Sequence, residues 1–437
     1  MTAKVSEELK IVEETTTGKP SRQRFHLLVI MLIGITVLYL DRVNISIIVA
    51  DEKFLTQMGI LGDPVKIGLL MTTFLGAYAI ANVVLAPLGD YLGPRKSMVM
   101  AYILICISLF LGGISGSFAM LIAARIILGI GEGFYYPMQN TFVRNWFPPK
   151  ERGRANSTWV VGQSLSQAVA IPIFTFLVVT FSWQSTFFFA LIVSLIPLSL
   201  IWFYTADTPR KHKKVNELEL KYIEEEIAKV EQDQNVNTSV KESFWERVKP
   251  FILNYQFWLL VFTFGTISII GWGLATWLPS YLKQARGFSW AEMGWLAALP
   301  FLFGILFSAS SGFLSDKIGR SAPVILLAEL LCCVGVYFGT IVENNYLAAV
   351  LIAFGQGVVT MAVPAIFTLL QSMVPSKAIS TAAGTLNGIA VGFGALSPVL
   401  FGFFISLTGN YSSALYFLVG AGLLGAILAG VLAMKKL

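Results

Sequence analysis

Residues 25–50 read FHLLVIMLIGITVLYLDRVNISIIVA, an apolar run that is interrupted by the adjacent charges of Asp41 and Arg42. A run of about 20 apolar residues is long enough to cross a bilayer as a helix. A charged side chain at the centre of such a helix is unfavourable by about 2.5–3.5 kcal/mol. The run therefore predicts a membrane-spanning helix whose two charges have a function.

Similar apolar runs recur along nearly the whole chain of 437 residues. Hydrophobic residues make up 56% of the sequence and charged residues 13%, whereas soluble domains carry about 25% charged residues. This composition argues against a water-soluble enzyme and predicts an all-α membrane protein with twelve transmembrane helices. The predicted spans are 25–50, 66–88, 97–115, 119–141, 156–180, 183–205, 255–282, 291–314, 322–341, 346–370, 379–405 and 411–434.

The basic residues are distributed unevenly across the predicted membrane. Of the 31 Lys and Arg, 25 fall on the side of the termini. Two lie within spans, Arg42 and Arg125, and four lie on the other side, Lys53, Lys66, Lys283 and Arg286. Loops rich in Lys and Arg stay in the cytoplasm, so both termini are expected there. The net charge of +6 thus reports topology, and no nucleic acid partner is expected. Short loops on the other side favour a bacterial plasma membrane.

Cysteine and histidine usage limits the possible chemistry. The three cysteines, Cys106, Cys332 and Cys333, lie in apolar spans and are expected to be packing residues rather than disulfides. The only histidines, His26 and His212, flank spans on the cytoplasmic side. A histidine-based metal site or proton relay inside the membrane is therefore excluded, and no metal is expected.

The longest polar stretch divides the spans into two sets of six. We predict a cytoplasmic tail (1–24), a six-helix bundle (25–205), a cytoplasmic middle loop (206–254), a second six-helix bundle (255–434) and a cytoplasmic C-terminus (435–437). Within the middle loop, Ile223, Ile227 and Val230 have helical spacing. The loop is therefore expected to form a surface helix with a solvated charged face.

The two halves repeat each other in sequence. LGDYLGPR (88–95) matches LSDKIGR (314–320), GEG (131–133) matches GQG (355–357), and FPPKERGRANST (147–158) matches VPSKAISTAAGT (374–385). The three matches occur in the same order and at nearly the same offset, which indicates an internal duplication. Duplicated halves are typical of secondary transporters, whose binding site lies between the halves near the middle of the membrane.

The first half carries four ionisable residues deep in its spans: Asp41, Arg42, Arg125 and Glu132. With a rise of 1.5 Å per residue, Asp41 and Arg125 reach similar depths, and Glu132 lies about 10 Å from Arg125 on the same helix face. Adjacent helical residues point about 100° apart, so we expect Asp41 to pair with Arg125 and Arg42 to face the cavity. A purely structural ion-pair network is the alternative.

An arginine that faces a cavity without a local acid requires an anion, and its planar fork suits a carboxylate. Burial favours a protonated carboxyl group, whereas a nearby arginine favours the ionised form. Asp41 and Glu132 are therefore expected to change protonation as the substrate and the arginines move, which is the chemistry that proton coupling needs.

The second half has no charge at the corresponding positions, because Gln356 replaces Glu132. It is expected to offer hydrogen bonds and aromatic surface instead, and helix packing is the alternative for each residue. Glu329 is expected to be paired near the cytoplasmic end of its span. The candidate residues in the second half are Trp272, Trp277, Gln356, Thr360 and Asn387.

Six plus six spans, a long middle loop and a charged loop in each half resemble the major facilitator superfamily. GFLSDKIGR (312–320) fits its signature closely, whereas the first copy departs from it at Ala86, Tyr91 and Pro94. Glycine permits the tight turns of these loops, and the two aspartates can hold the halves together. The resemblance implies that six residues act in conformational change: Asp90, Gly93, Arg95, Asp316, Gly319 and Arg320.

YLDRVNIS (39–46), the motif from Arg125 to Gly133 and the motif from Asn387 to Gly394 resemble the anion:cation symporter family. The resemblance implies proton-coupled uptake of an organic anion. It also implies that Asp41 and Glu132 are protonation sites, that Arg125 is their coupling partner and that Arg42 binds the anion. The further residues that it implies at the site are Tyr39, Tyr78, Gln163 and Asn387, and Trp272 joins them from the second half.

The expected protein is thus a monomeric symporter that moves a small organic anion by alternating access and is driven by the proton gradient without a cofactor. The expected substrate is a sugar acid such as galactonate, glucarate or a hexuronate. A simple or aromatic carboxylate, and exchange of an organophosphate for phosphate, are alternatives. An enzyme would need a nucleophile, a metal cluster or a phosphate loop, and the GxGEG motif lies inside a span and lacks lysine.

Overall fold

The computed structural model of the chain describes residues 20–235, 249, 251–374 and 378–435. In these ranges the protein is helical without strands, and twelve helical spans are long and apolar enough to cross a membrane. The predicted all-α fold with twelve transmembrane helices is confirmed. Residues 1–19, most of the segment 236–250 and residues 436–437 lie outside the described residues, and the predicted domain limits stay predictions.

Sixteen α-helices are present in the described part of the chain. They are α1 (Gln23–Ile48), α2 (Glu52–Gln57), α3 (Pro64–Val84), α4 (Ala86–Leu92), α5 (Pro94–Gly113), α6 (Phe118–Trp146), α7 (Pro149–Thr180), α8 (Trp183–Tyr204), α9 (Glu217–Asn235), α10 (Tyr255–Ser280), α11 (Trp290–Ile318), α12 (Ala322–Ile341), α13 (Asn345–Val359), α14 (Ala362–Met373), α15 (Ile379–Thr408) and α16 (Tyr411–Met434).

Local sequence signals explain where several helices begin and end. The side chains of Ser117 and Asn344 accept hydrogen bonds from backbone N–H groups in the first turns of α6 and α13. These N–H groups have no acceptor within the helix itself. Ser289 forms a capping box with Glu292 at the start of α11. Gly319, with φ of 72°, ends α11 in the left-handed conformation that glycine favours. Polar residues therefore define the ends of helices whose interiors are apolar.

The two halves approach each other closely on one side of the molecule. The chain crosses the membrane twelve times between the start of α1 and the end of α16. Because this number is even, both ends lie on the same side, which we call the terminal side. On the opposite side, a Cβ at Gly68 of α3 would clash with the backbone of Pro398 of α15, and a Cβ at Gly402 of α15 would clash with Pro64. The absence of a side chain at both glycines therefore lets α3 and α15 close this side.

The repeated loops contact the last spanning helix of their own half. The backbone N–H of Arg95 donates to Asp207 at 3.0 Å, and its guanidinium donates to the carbonyl of Trp202 in the last turn of α8. Arg320 donates to the carbonyl of Ala433 in the last turn of α16 at 3.5 Å. The negative end of the helix dipole favours a cation at both places. Each loop is thus joined to its own half.

Three further loop residues were predicted to act in conformational change. Gly93, with φ of 81°, forms the turn between α4 and α5. The side chains of Asp90 and Asp316 lie outside the described part of the structure. The conformational role of these loops stays a prediction.

The middle-loop helix α9 binds the start of α1. Glu219 accepts hydrogen bonds from the backbone N–H groups of Gln23 (2.8 Å) and Arg24 (3.2 Å) and from the Arg24 guanidinium (3.0 Å). Arg24 also pairs with Glu151 of α7 at 2.8 Å. Burial raises the pKa of Glu219, but hydrogen bonds from Ser21, Gln23 and Arg24 oppose it and leave the pKa below its usual range. This acidic residue is therefore a helix cap and not part of a solvated face.

Candidate functional site

A central cavity of about 340 Å³ lies between the two halves. The first half contributes Tyr39 and Arg42 from α1 and Tyr78 from α3. The second half contributes Trp272 from α10. Because α15 contributes Asn387, which precedes Pro398 along the helix, the cavity lies on the terminal side of the closed contact. The cavity is thus enclosed by both halves, as the duplicated sequence predicts for a binding site.

The structure brings all six residues predicted to bind substrate to the wall of this cavity. They are Tyr39, Arg42, Tyr78, Gln163, Trp272 and Asn387. Gln356 and Thr360, named as candidates in the second half, also line it. Trp277 does not, since its indole donates to the carbonyl of Pro398 at 2.9 Å and its ring stacks on Phe401. Trp277 is therefore a packing residue of the closed side.

Arg42 is the charged residue among the described residues that line the cavity. Its guanidinium carbon lies 4.1 Å from the ring centre of Tyr39, 4.8 Å from that of Tyr78 and 5.7 Å from that of Trp272. Aromatic faces stabilise a cation at such distances. One guanidinium nitrogen, Nη2, is buried and has no hydrogen-bond partner within the described chain. The cavity wall therefore holds a cation with one donor that no described residue uses.

The ion pair in the cavity wall differs from the predicted one. Arg42 Nε donates to Glu132 Oε2 at 2.6 Å, and both side chains are almost fully buried. Arg42 lines the cavity as predicted, but the prediction that no acid lies beside it is wrong. The 100° step between neighbours separates Asp41 from Arg42, but it does not fix which of them α6 contacts. The rotation of α1 decides this, and periodicity alone does not give it.

The predicted pair of Asp41 with Arg125 is also absent. Both carboxylate oxygens of Asp41 are buried and lack hydrogen-bond partners among the residues that the structure describes. Arg125 Nε instead donates to the backbone carbonyl of Leu70 in α3 at 3.3 Å, and its guanidinium lies 4.7 Å from the ring centre of Phe74. Asp41, Arg125 and Glu132 still interact electrostatically. The three form one buried charge cluster without direct contact between Asp41 and Arg125.

The sequence reading missed several polar residues on the cavity wall. Tyr136 follows the GEG motif on α6, Ser164 and Gln167 follow Gln163 on α7, and Ser268 lies one helical turn before Trp272. Helical spacing from the predicted residues was the available signal, since positions three or four apart share a face. Together these groups surround the cavity with hydroxyl and amide groups. Within the described chain, no group of three or more His, Cys, Asp or Glu could hold a metal ion.

A family model described as "Major Facilitator Superfamily" matches residues 31–395 and 291–436. The chain is 27% identical over 434 residues to the "Probable galactarate/D-glucarate transporter GudP" of Bacillus subtilis, covering 96% of this chain and 93% of that protein. It is 30% identical to the "Probable sulfoacetate transporter SauU" of Cupriavidus necator, covering 92% of each chain. Both relatives are thus similar along their whole length.

A solved structure shows the same fold. It is a bacterial homolog of the human lysosomal transporter Spinster, described as inward-facing and unoccupied. The TM-score is 0.76 at 17% sequence identity, and the match covers 93% of this chain and 96% of that chain. At this identity the likeness supports the arrangement of the helices and nothing finer.

Proposed function

Because this chain belongs to the Major Facilitator Superfamily and is a multi-pass membrane transporter, we propose that it imports a sugar acid together with protons by alternating access. The observation that carries the proposal is Arg42, a buried cation on the cavity wall whose Nη2 donor has no partner among the residues that the structure describes. An unpaired donor of this kind suits a carboxylate, because a guanidinium offers several N–H groups in one plane. Arg42 is the proposed anchor of the substrate.

The rest of the cavity fits a substrate with several hydroxyl groups. Gln163, Gln356 and Asn387 supply amides that both donate and accept, and Tyr39 and Tyr78 supply hydroxyls. A polyhydroxylated chain can satisfy these groups, whereas an apolar acid would leave them without partners. The name of the Bacillus subtilis relative, a galactarate and glucarate transporter, supports the same class of substrate.

Proton coupling is proposed to use the buried acids beside Arg42. Glu132 neutralises Arg42 in the present arrangement, and a bound carboxylate would bring a second negative charge to the same guanidinium. Like charges at short distance disfavour joint ionisation, so the anion and a proton on Glu132 should bind together. Asp41 accepts no hydrogen bond from the residues that the structure describes, and a buried carboxylate without hydrogen bonds is unfavourable, so Asp41 is proposed as the second proton carrier, with Arg125 modulating both.

The direction of transport follows from the proposed topology. The basic loops put the terminal side in the cytoplasm, so the side closed by Gly68 and Gly402 would face outward. The present arrangement is then closed to the outside, with the site between the halves. We propose that the protein acts as a monomer in a bacterial plasma membrane and uses the proton gradient without a cofactor.

A small acid without hydroxyl groups is the second candidate substrate. The sulfoacetate transporter of Cupriavidus necator is 30% identical to this chain, and sulfoacetate carries two anionic groups. Sulfoacetate has no hydroxyl groups, so it would leave the amides and hydroxyls of the cavity wall without partners. Organophosphate exchange is disfavoured because a second cavity arginine would be expected for it, and Arg42 is the one arginine among the described lining residues.

Uptake into proteoliposomes tests this proposal. Radiolabelled D-glucarate, galactonate and sulfoacetate are supplied outside, with and without an inward proton gradient. We expect the gradient to drive accumulation of a sugar acid by the natural protein. Glu132→Gln should still exchange substrate across the membrane but fail to accumulate it, and the exposed control Glu343→Gln should behave as the natural protein. Accumulation by Glu132→Gln at the natural level would contradict the coupling.

A further inference from the structure

Among the residues that the structure describes, the second half contains a buried acid that the proposed mechanism does not use. Glu329 lies in the middle of α12 and is fully buried. Its carboxyl group does not line the central cavity. Glu329 is the only Asp, Glu, Lys, Arg or His in α10, α12, α13, α14, α15 and α16. The prediction that it pairs near the end of its span is therefore wrong, because the helices around it offer no opposite charge.

The hydrogen bonds around Glu329 indicate its protonation state. Thr266 Oγ1 of α10 lies 2.7 Å from the carbonyl oxygen of Thr263 and 2.9 Å from Glu329 Oε1. A threonine hydroxyl has one hydrogen and can donate to only one of these acceptors. If Thr266 donates to Thr263, the contact with Glu329 requires a hydrogen on the glutamate. A neutral carboxylic acid satisfies both contacts at once.

The ionised form has little to stabilise it at this place. The second oxygen, Oε2, has no hydrogen-bond partner in the described part of the chain. The titratable groups that face the carboxyl are the thiols of Cys332 and Cys333 on its own helix, and neither supplies a positive charge. A buried carboxylate without a partner cation is strongly unfavourable.

Helix α16 is built to accommodate this group. A Cβ at Gly425 would clash with both Glu329 Oε1 and Thr266 Oγ1, and a Cβ at Gly422 would lie 3.6 Å from Oε2. The backbone of α16 therefore covers the carboxyl directly. On the other side, Thr266 adjoins Ile267 and Ser268, which line the cavity. The contact thus connects three helices to the cavity wall.

We propose that Glu329 is a proton-binding site of the second half. Its acid O–H donates to Thr266 Oγ1, while the Thr266 hydroxyl donates to the Thr263 carbonyl. This chain of hydrogen bonds holds α10, which carries part of the cavity wall, against α12 and α16. Because the carboxyl is sealed from the cavity, the proton stays bound through the transport cycle, unlike the protons proposed for the first half.

Infrared spectroscopy of the purified protein at neutral pH tests the protonation directly. The spectrum of the natural protein minus that of Glu329→Gln should contain the C=O band of a protonated carboxylic acid and no carboxylate band. Thr266→Val should shift that band because the hydrogen bond is lost, whereas Thr266→Ser should leave it in place. Glu343→Gln, which removes an exposed carboxylate, should lose only carboxylate bands. A difference spectrum for Glu329→Gln that contains carboxylate bands alone would overturn the proposal.

Transport separates a retained proton from a cycling one. Glu329→Gln keeps the shape of the neutral acid, so gradient-driven uptake should match that of the natural protein. Loss of uptake by Glu329→Gln, with Glu343→Gln unaffected, would show that the proton is not simply retained. The infrared result does not depend on any substrate, so it stands even if the proposed sugar-acid symport is wrong.

Discussion

At the scale of single residues, Arg42 is held by two kinds of contact with different requirements. The rings of Tyr39 and Tyr78 lie against the guanidinium, and Glu132 accepts from Nε at 2.6 Å. The rings stabilise any cation, whereas the hydrogen bonds to Glu132 and to the proposed substrate need N–H donors that point in fixed directions. A lysine ammonium is a compact point charge that cannot reproduce this fork.

Replacing Arg42 by lysine should therefore weaken substrate binding without removing the positive charge. Losing one charge-assisted hydrogen bond is worth about 1.5–3 kcal/mol, which corresponds to a roughly tenfold to hundredfold higher Kd. Calorimetric titration of Arg42→Lys with the sugar acid that the natural protein binds measures this change. Lys66→Arg, at an exposed position on the opposite side, is the control. Natural affinity in Arg42→Lys would remove Arg42 as the carboxylate ligand.

At the scale of helices, two contacts far apart in sequence organise the bundle. The first is the cap that Glu219 of α9 provides to the start of α1. Arg22, the residue before α1, has φ of 53° and its side chain does not cap the helix, so the first N–H groups need an outside acceptor. The amphipathic spacing of α9 predicted a surface helix, but nothing local in the sequence shows that one of its acids caps a helix almost 200 positions earlier.

The cap should make stability depend on pH in a defined direction. The pKa of Glu219 lies below its usual range in the folded protein, so its contribution is present near neutral pH and is lost as the pH falls through the folded-state pKa. Glu219→Gln should have a lower thermal stability than the natural protein at pH 7. In acid, where Glu219 is protonated, the difference in stability between the two proteins should become smaller. Thermal unfolding in detergent measures both, with the exposed Glu225→Gln as control. Equal stability of Glu219→Gln and the natural protein at neutral pH would contradict the cap.

The second contact is the glycine-mediated approach of α3 and α15. A Cβ at Gly402 would clash with Pro64 and lie 3.2 Å from Trp277, whereas a Cβ at Gly392 on the same helix would meet nothing within 4 Å. Gly402→Ala should therefore weaken the closed state of the opposite side, and Gly392→Ala should not.

Spin labels on Lys66→Cys and Leu407→Cys report this change, since both positions are exposed near the opposite-side ends of α3 and α15. We expect a longer distance between the labels in Gly402→Ala and an unchanged distance in Gly392→Ala. Identical distance distributions in the two variants would show that the glycine does not control closure.

At the scale of the whole molecule, the sequence predicted the architecture well because the signals that fix it are long. Twelve apolar runs and a repeated pattern of loops define spans and halves, and the residues at the centre of the runs mark the cavity. The same reasoning paired Asp41 with Arg125 and missed the ion pair between Arg42 and Glu132, because helix rotation depends on packing against several neighbours at once. Tyr136 and Ser268 were missed for a related reason, since a polar residue in a span shows no direction until its helix is placed.

The central claim is that the anion on Arg42 and a proton on Glu132 bind together, because both act on one guanidinium. Calorimetric titration of the sugar acid in two buffers with different ionisation enthalpies counts the protons taken up on binding. The account predicts proton uptake by the natural protein near neutral pH and an uptake smaller by about one proton in Glu132→Gln, which cannot take up a proton at this position. Equal proton uptake by Glu132→Gln and the natural protein would contradict it.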